Sequence, residues 1–196
     1  MGLFGNKKEE VNTIRTLLHV NARLQPEHRI SYYEEHLQGL FKKEKVGNVT
    51  GGSSVFFKDG GIASCDVNID CYEDKLNRIL EILHYIPMAK GSKFFVYNSE
   101  GKVEREYPLG ELEGLGIYLN GVDLPKEVYK ACDINYVVEQ VFNLLETPPI
   151  LYSYWEGLTE TALYFYSVSF DTMYKKIRPL LNSYPLCQKC KVAQLT

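Results

Sequence analysis

Few residues of this chain stand at spacings that chemistry would use. Arg15 and His19 share one face of an alternating stretch, and Asp66, Asn68 and Asp70 share one face of another. Two carboxylates and an imidazole can hold a hard divalent ion or act as acid and base. A metal-dependent hydrolase using His19, Asp66 and Asp70 is therefore one reading; a solvated sheet face is the plainer one. Asp66-x-Asn68-x-Asp70 resembles the opening of a calcium loop, but the glycine and distal glutamate of such a loop are missing. Cys187-x-x-Cys190 has a redox or zinc spacing. No second pair accompanies it, and it follows a helical pattern where a redox motif would open one, so packing cysteines are the favoured reading. Lys90-Gly91-Ser92 and Gly51-Gly52-Ser53-Ser54 precede no helix whose N-terminus could take a phosphate, and they read as turns. The sequence has no Walker loop, nucleophile elbow or His-Glu-x-x-His pair. It implies no cofactor.

The aromatic residues carry a stronger signal. Alternation predicts that Tyr118, Tyr152, Tyr154, Tyr164 and Tyr166 share one sheet face, away from the helices. Tyrosine is large, rigid and amphipathic, which suits a contact surface. Either this face packs on the other half of the same chain, or it meets a partner, a ligand or a second copy of the chain. Trp155-Glu156-Gly157, with Glu160 close behind, reads as a hairpin tip bearing the only tryptophan and two acids. Such tips recognise partners, and a tryptophan there can equally seal the edge of a core.

The elements that position these residues follow from periodicity. Asn12–Val20, Val49–Phe57, Ala63–Asp70 and Lys93–Tyr97 alternate as strands. Pro26 opens a helix that runs to the basic end at Lys45. Leu76, Ile79, Leu80, Ile82 and Leu83 make the stripe of a second helix. Gly51-Gly52 predicts a bulge, and Asp59-Gly60-Gly61 a hairpin turn. Glu100–Glu113 is acidic, punctuated by Gly and Pro, and reads as a linker. Gly114–Asn120, Ile150–Trp155, Thr161–Tyr166 and Lys189–Leu195 are a second set of strands. A helix capped by Asp133 and stopped by Pro148-Pro149, and another over Phe170–Ser183, lie between them. The joint Ile86-Pro87 recurs as Tyr184-Pro185. The order β-α-β-β-α-β, read twice, resembles the ferredoxin-like fold. The expected architecture is thus α+β, with two tandem ferredoxin-like repeats over 1–99 and 114–196, a linker at 100–113, and antiparallel sheets with helices on one face.

Composition narrows the class. The 196 residues are 45% hydrophobic and 24% charged, with a net charge of −3. That mix supports a packed core, and the absence of a basic patch argues against nucleic-acid binding. No apolar run has the roughly 20 residues a membrane helix needs. The N-terminus lacks a signal-peptide pattern, and Asn6 does not fit a myristoylation site. The odd count of five cysteines does not describe a secreted disulfide framework, so a cytoplasmic setting is expected.

Lys90-Gly91-Ser92 after a helix, and Trp155-Glu156-Gly157 with Glu160-Thr161-Ala162-Leu163-Tyr164, resemble small bacterial α+β proteins found as immunity proteins beside polymorphic toxins. The resemblance covers less than half the chain and assigns no residue a role. It implies a protein that neutralises a partner. The expectation is a non-enzymatic cytoplasmic protein that binds an unidentified protein through the aromatic face and the Trp155–Glu160 tip. The rivals are the hydrolase above and a small-ligand sensor between the repeats.

Overall fold

The computed structural model describes residues 12–58, 60–145 and 150–196. Asp59 of the expected hairpin turn and the Pro148-Pro149 helix stop lie outside them. The chain is α+β, with two antiparallel sheets.

In the first half, Thr13–Val20 (β1) leads to Pro26–Arg29 (α1). The helix widens into a π-helical turn at Ile30–Glu34 and resumes as Glu35–Glu44 (α2). The wide turn has a use. Residues five apart point away from each other on an α-helix, but a π turn aligns them. Arg29 Nε thereby reaches Glu34 Oε1 at 2.7 Å, and Arg29 also donates to Ser54 Oγ at 3.1 Å. Gly47–Phe56 (β2) and Ile62–Tyr72 (β3) form a hairpin. The register shift between Val49 and Gly51 is the irregularity expected at the paired glycines. Leu76–His84 (α3) and Ser92–Tyr97 (β4) complete the set.

The acidic stretch read as a linker contains Val103–Leu109 (β5), an added strand on the outer edge of β4. Tyr107 and Leu109 pack against the first core while the glutamates face water. Pro108 is tolerated because β5 is an edge strand. The sheet order is β2-β3-β1-β4-β5. Leu18, Val67, Ile69, Phe94 and Val96 meet Tyr33, Leu37, Phe41, Ile79 and Leu83 in its core.

In the second half come Glu113–Asn120 (β6), Lys126–Ala131 (α4) and Ile134–Leu144 (α5). Leu151–Glu156 (β7), Glu160–Ser167 (β8), Phe170–Ser183 (α6) and Lys191–Gln194 (β9) follow. The side chains of Asp133 and Ser169 accept hydrogen bonds from Asn135 N–H and Thr172 N–H, capping α5 and α6. The order is β7-β8-β6-β9. Leu115, Ile117, Leu163 and Phe165 pack on Val137, Val141, Met173 and Ile177. The short helix α4 was not expected from the sequence. Among the described residues, no helix is long and apolar enough to cross a membrane.

Candidate interaction site at the junction and the hairpin tips

The five tyrosines do not share a face. Register pairs Tyr118 with Ala162, and Ala162 with Trp155; Tyr164 pairs with Ser153, and Tyr166 with Leu151. Tyr118, Tyr164 and Tyr166 therefore lie on the face away from the second core, together with Leu151, Ser153 and Trp155. Tyr152 and Tyr154 pair with Phe165 and Leu163, on the helix side. Tyr152 packs on Phe142 and Phe165, with ring centroids 5.9 and 5.1 Å away, and burial there pushes its hydroxyl up to about 12. Alternation fixes parity within a strand; the β7–β8 turn, closing at Glu156 and Thr161, fixes which parity of β7 meets which of β8.

The three remaining tyrosines cover the first half of the chain. Tyr164 and Tyr166 are buried and belong to the same core as Leu18, Leu24, Tyr33 and Cys65. Glycines make room for them: a Cβ on Gly114 would stand 2.6 Å from Tyr166 Cε1. At about 200 Å² per ring and roughly 25 cal/mol per Å², each burial contributes on the order of 5 kcal/mol as an upper figure. A face so committed is an internal seam.

The β1–α1 loop crosses that seam and satisfies its polar groups. Arg23 N–H donates to Tyr166 Oη at 2.8 Å, and the Arg23 guanidinium donates to Tyr118 Oη. Gln25 N–H donates to Ser153 Oγ at 2.9 Å, and the Gln25 amide donates to the Tyr154 carbonyl at 2.9 Å. His28 Nδ1 lies 2.9 Å from Ser153 Oγ, with the rings of Tyr32, Tyr152 and Tyr154 around it. Desolvation raises the Tyr33 and Tyr166 hydroxyls well above the usual phenol range and moves Cys65 to about 12. None of these three groups is poised to exchange protons near neutrality. Arg23 and His28 carried no signal of this role in the sequence.

Two hairpin tips flank the seam and stay in water. Val55, Phe56 and Phe57 at the β2–β3 tip are 41%, 58% and 45% exposed. The Arg23 guanidinium sits 4.9 Å over the Phe57 ring and 5.5 Å from that of Tyr164, tying this tip to the second sheet. At the β7–β8 tip Trp155 is half-buried and folds over Gly157, sealing the first core, while Leu158 is fully exposed. Glu156 is exposed, and Glu160 lies 3.7 Å from Lys191 Nζ. Of the expected binding residues, Trp155, Glu156 and Glu160 are thus at one tip, Tyr118, Tyr164 and Tyr166 line the seam, and Tyr152 and Tyr154 lie under the helices.

On the polar face of the first sheet, His19 Nδ1 stands 2.8 Å from Asp66 Oδ1. Asp70 lies four residues along β3, opposite Arg15, at roughly 3.3 Å per residue about 13 Å away along the strand. Arg15 itself lies over Tyr97, 5.6 Å from the ring centroid. Among the described residues no group of three or more His, Cys, Asp or Glu could hold a metal ion. The hydrolase reading keeps a cross-strand pair and loses its third ligand.

Between the halves lies a cavity of about 660 Å³, lined by Tyr85, Ile86, Leu109, Leu112, Ile150 and Val168 among others. Its cations are engaged: Lys93 Nζ meets Glu106 at 2.7 Å and Lys90 Nζ stands 3.6 Å from Glu113.

No protein-family model matches the chain. No curated protein matches it at a significant level.

Proposed function

We propose that this chain is a non-enzymatic, cytoplasmic protein-binding protein built from two tandem ferredoxin-like units, which engages a protein partner through its two hairpin tips. The observation that carries this reading is the solvent exposure of Val55, Phe56, Phe57 and Leu158 beside a seam that has already consumed the tyrosine face. Exposed aromatic and aliphatic side chains anchored by half-buried neighbours are what a binding surface offers. Trp155 supports the second tip from beneath, and Glu156 and Glu160 supply a polar rim. An inhibitor of the immunity type would need nothing more than such a surface. Ser153 Oγ, 2.9 Å from His28 Nδ1, is fully buried in the seam and accepts from Gln25 N–H, which supports a structural role for that hydroxyl.

The test is capture of a partner by the wild type, followed by titration of Phe56→Asp and Leu158→Asp. Both positions are exposed, so the fold tolerates the change. At least tenfold weaker binding supports the reading; unchanged affinity of both variants, or capture of nothing, removes it.

A second reading is a small-ligand site in the cavity between the halves. Its volume lies within the roughly 300–1,000 Å³ of ligand pockets. Such pockets place a few free polar groups to orient the ligand, and here Lys90 and Lys93 face carboxylates, so the tips are favoured. A thermal-shift screen of metabolites decides: a rise in melting temperature that Val168→Asp abolishes would establish the cavity.

A further inference from the structure

The Cys187-x-x-Cys190 pair occupies a turn of defined geometry. Cys190 N–H donates to the Cys187 carbonyl at 3.1 Å. Gln188 has φ −61° and ψ 137°, and Lys189 has φ 59°. These are the angles of a type II turn, which brings its first and fourth Cα atoms within about 7 Å. A disulfide needs Cα atoms roughly 4.4–6.8 Å apart. Glycine normally takes the third position of such a turn, because its φ is positive. Lys189 holds it instead, its Nζ donating to the Asp123 carbonyl at 2.9 Å. The turn opens on a surface cavity of about 470 Å³ lined by Cys187, Gln188, Lys189 and Cys190. Cys190 is half-buried and Cys187 buried, and both thiols are free.

We propose that Cys187 and Cys190 form a dithiol that low-molecular-weight disulfides oxidise reversibly to an intramolecular disulfide. Cys190, the more exposed, reacts first: its thiol loses a proton to solvent, and the sulfur attacks one sulfur of oxidised glutathione. The glutathione S–S bond breaks, a Cys190–glutathione mixed disulfide forms, and one glutathione leaves as a thiolate that takes up a proton. Cys187 then loses its proton and attacks the Cys190 sulfur, and the second glutathione leaves in the same way. Two cysteine thiols are oxidised and one glutathione disulfide is reduced to two thiols. Burial raises Cys187 to about 12 and moves Cys190 upward too, so exchange is slow near neutrality and quickens as pH rises. Cys132 also neighbours Cys187. It caps α4 outside the turn, and the turn selects Cys190 as the partner. The crosslink sets the joint that leads into β9.

The test equilibrates the full chain with oxidised and reduced glutathione mixtures at pH 8, quenches with acid, alkylates, and reads intact and peptide masses. The expected product is about 2 Da lighter than the reduced chain, with Cys187 and Cys190 protected together and released by dithiothreitol. Cys132→Ser forms the same product, and Cys190→Ala, whose change is half-exposed, does not. Full alkylation of both thiols in the wild type after oxidation, or a crosslink mapped to Cys132, overturns the proposal.

Discussion

The backbone N–H of Arg23 donates to the hydroxyl of Tyr166 at 2.8 Å, across 143 positions of sequence. Tyr166 is fully buried, so this bond closes one half of the chain onto the other inside the core. Tyr166→Phe keeps the ring and removes the acceptor. The expected loss is about 1–3 kcal/mol of unfolding free energy, the cost of leaving the N–H unpaired. Tyr166→Ala is expected to lose roughly 3–5 kcal/mol. Urea denaturation measures both, and a Tyr166→Phe protein within about 0.5 kcal/mol of wild type, the scatter of neutral substitutions, would show that the bond is not made.

Gly114 lies under the Tyr166 ring. Gly114→Ala places a methyl 2.6 Å from Tyr166 Cε1 and 2.8 Å from Leu195 Cβ. Overpacking of this kind costs about 1–3 kcal/mol. The double variant Gly114→Ala with Tyr166→Leu is expected to be more stable than the sum of the single losses, because the shorter side chain vacates the contact. Additive losses in a double-mutant cycle would contradict the packing described.

Arg29 and Glu34 form a nearly buried pair, their side chains 9% and 15% exposed. Arg29→Met removes the cation and strands the carboxylate, with an expected loss of about 3 kcal/mol. Arg29→Met with Glu34→Leu is expected to recover most of it, since no uncompensated charge remains. Melting temperatures of the three proteins check the order, and an equal loss in the double variant would argue against a stranded charge.

Alkali should destabilise the fold. Burial raises Cys65 from 9.0 to about 12 and raises the Tyr33 and Tyr166 hydroxyls above 10.0. The folded state therefore keeps protons that the unfolded state releases. Stability from the Cys65 thiol is complete below pH 9.0 and falls as pH rises toward about 12, because the unfolded chain binds fewer protons there. A tenfold difference in proton affinity between the two states corresponds to about 1.4 kcal/mol. Chemical denaturation at about pH 8, 9.5 and 10.5 should show a monotonic decline. In Cys65→Ala that decline is shallower with the same onset, because burial also raises Cys71 to about 11 and Cys187 to about 12 from 9.0. A flat profile across that range would mean these groups are solvated.

Local readings succeeded where one element decides its own fate. The stripe of Leu76, Ile79, Ile82 and Leu83 faces a core because helical period puts it on one side. Asp133 caps α5 through its own neighbour Asn135. β5 was missed: Val103, Arg105, Tyr107 and Leu109 alternate against Glu104, Glu106 and Pro108, but the acidic residues and the proline favour a loop when the edge position is unknown. The candidate site was only partly visible. Trp155 and the Glu156–Glu160 tip were found by their turn, while Phe56 and Phe57 read as the end of an ordinary strand.

Periodicity and capping act within a few residues, so the α+β class and most strand and helix positions could be read without coordinates. The same rules were silent on Tyr152 and Tyr154 turning away from Tyr164 and Tyr166, since a one-residue change of strand register reverses the face of every side chain. Nor could they show Arg23 reaching Tyr118 and Tyr166, or Cys132 coming beside Cys187. Those contacts join residues far apart in the chain, and only tertiary packing brings them within reach.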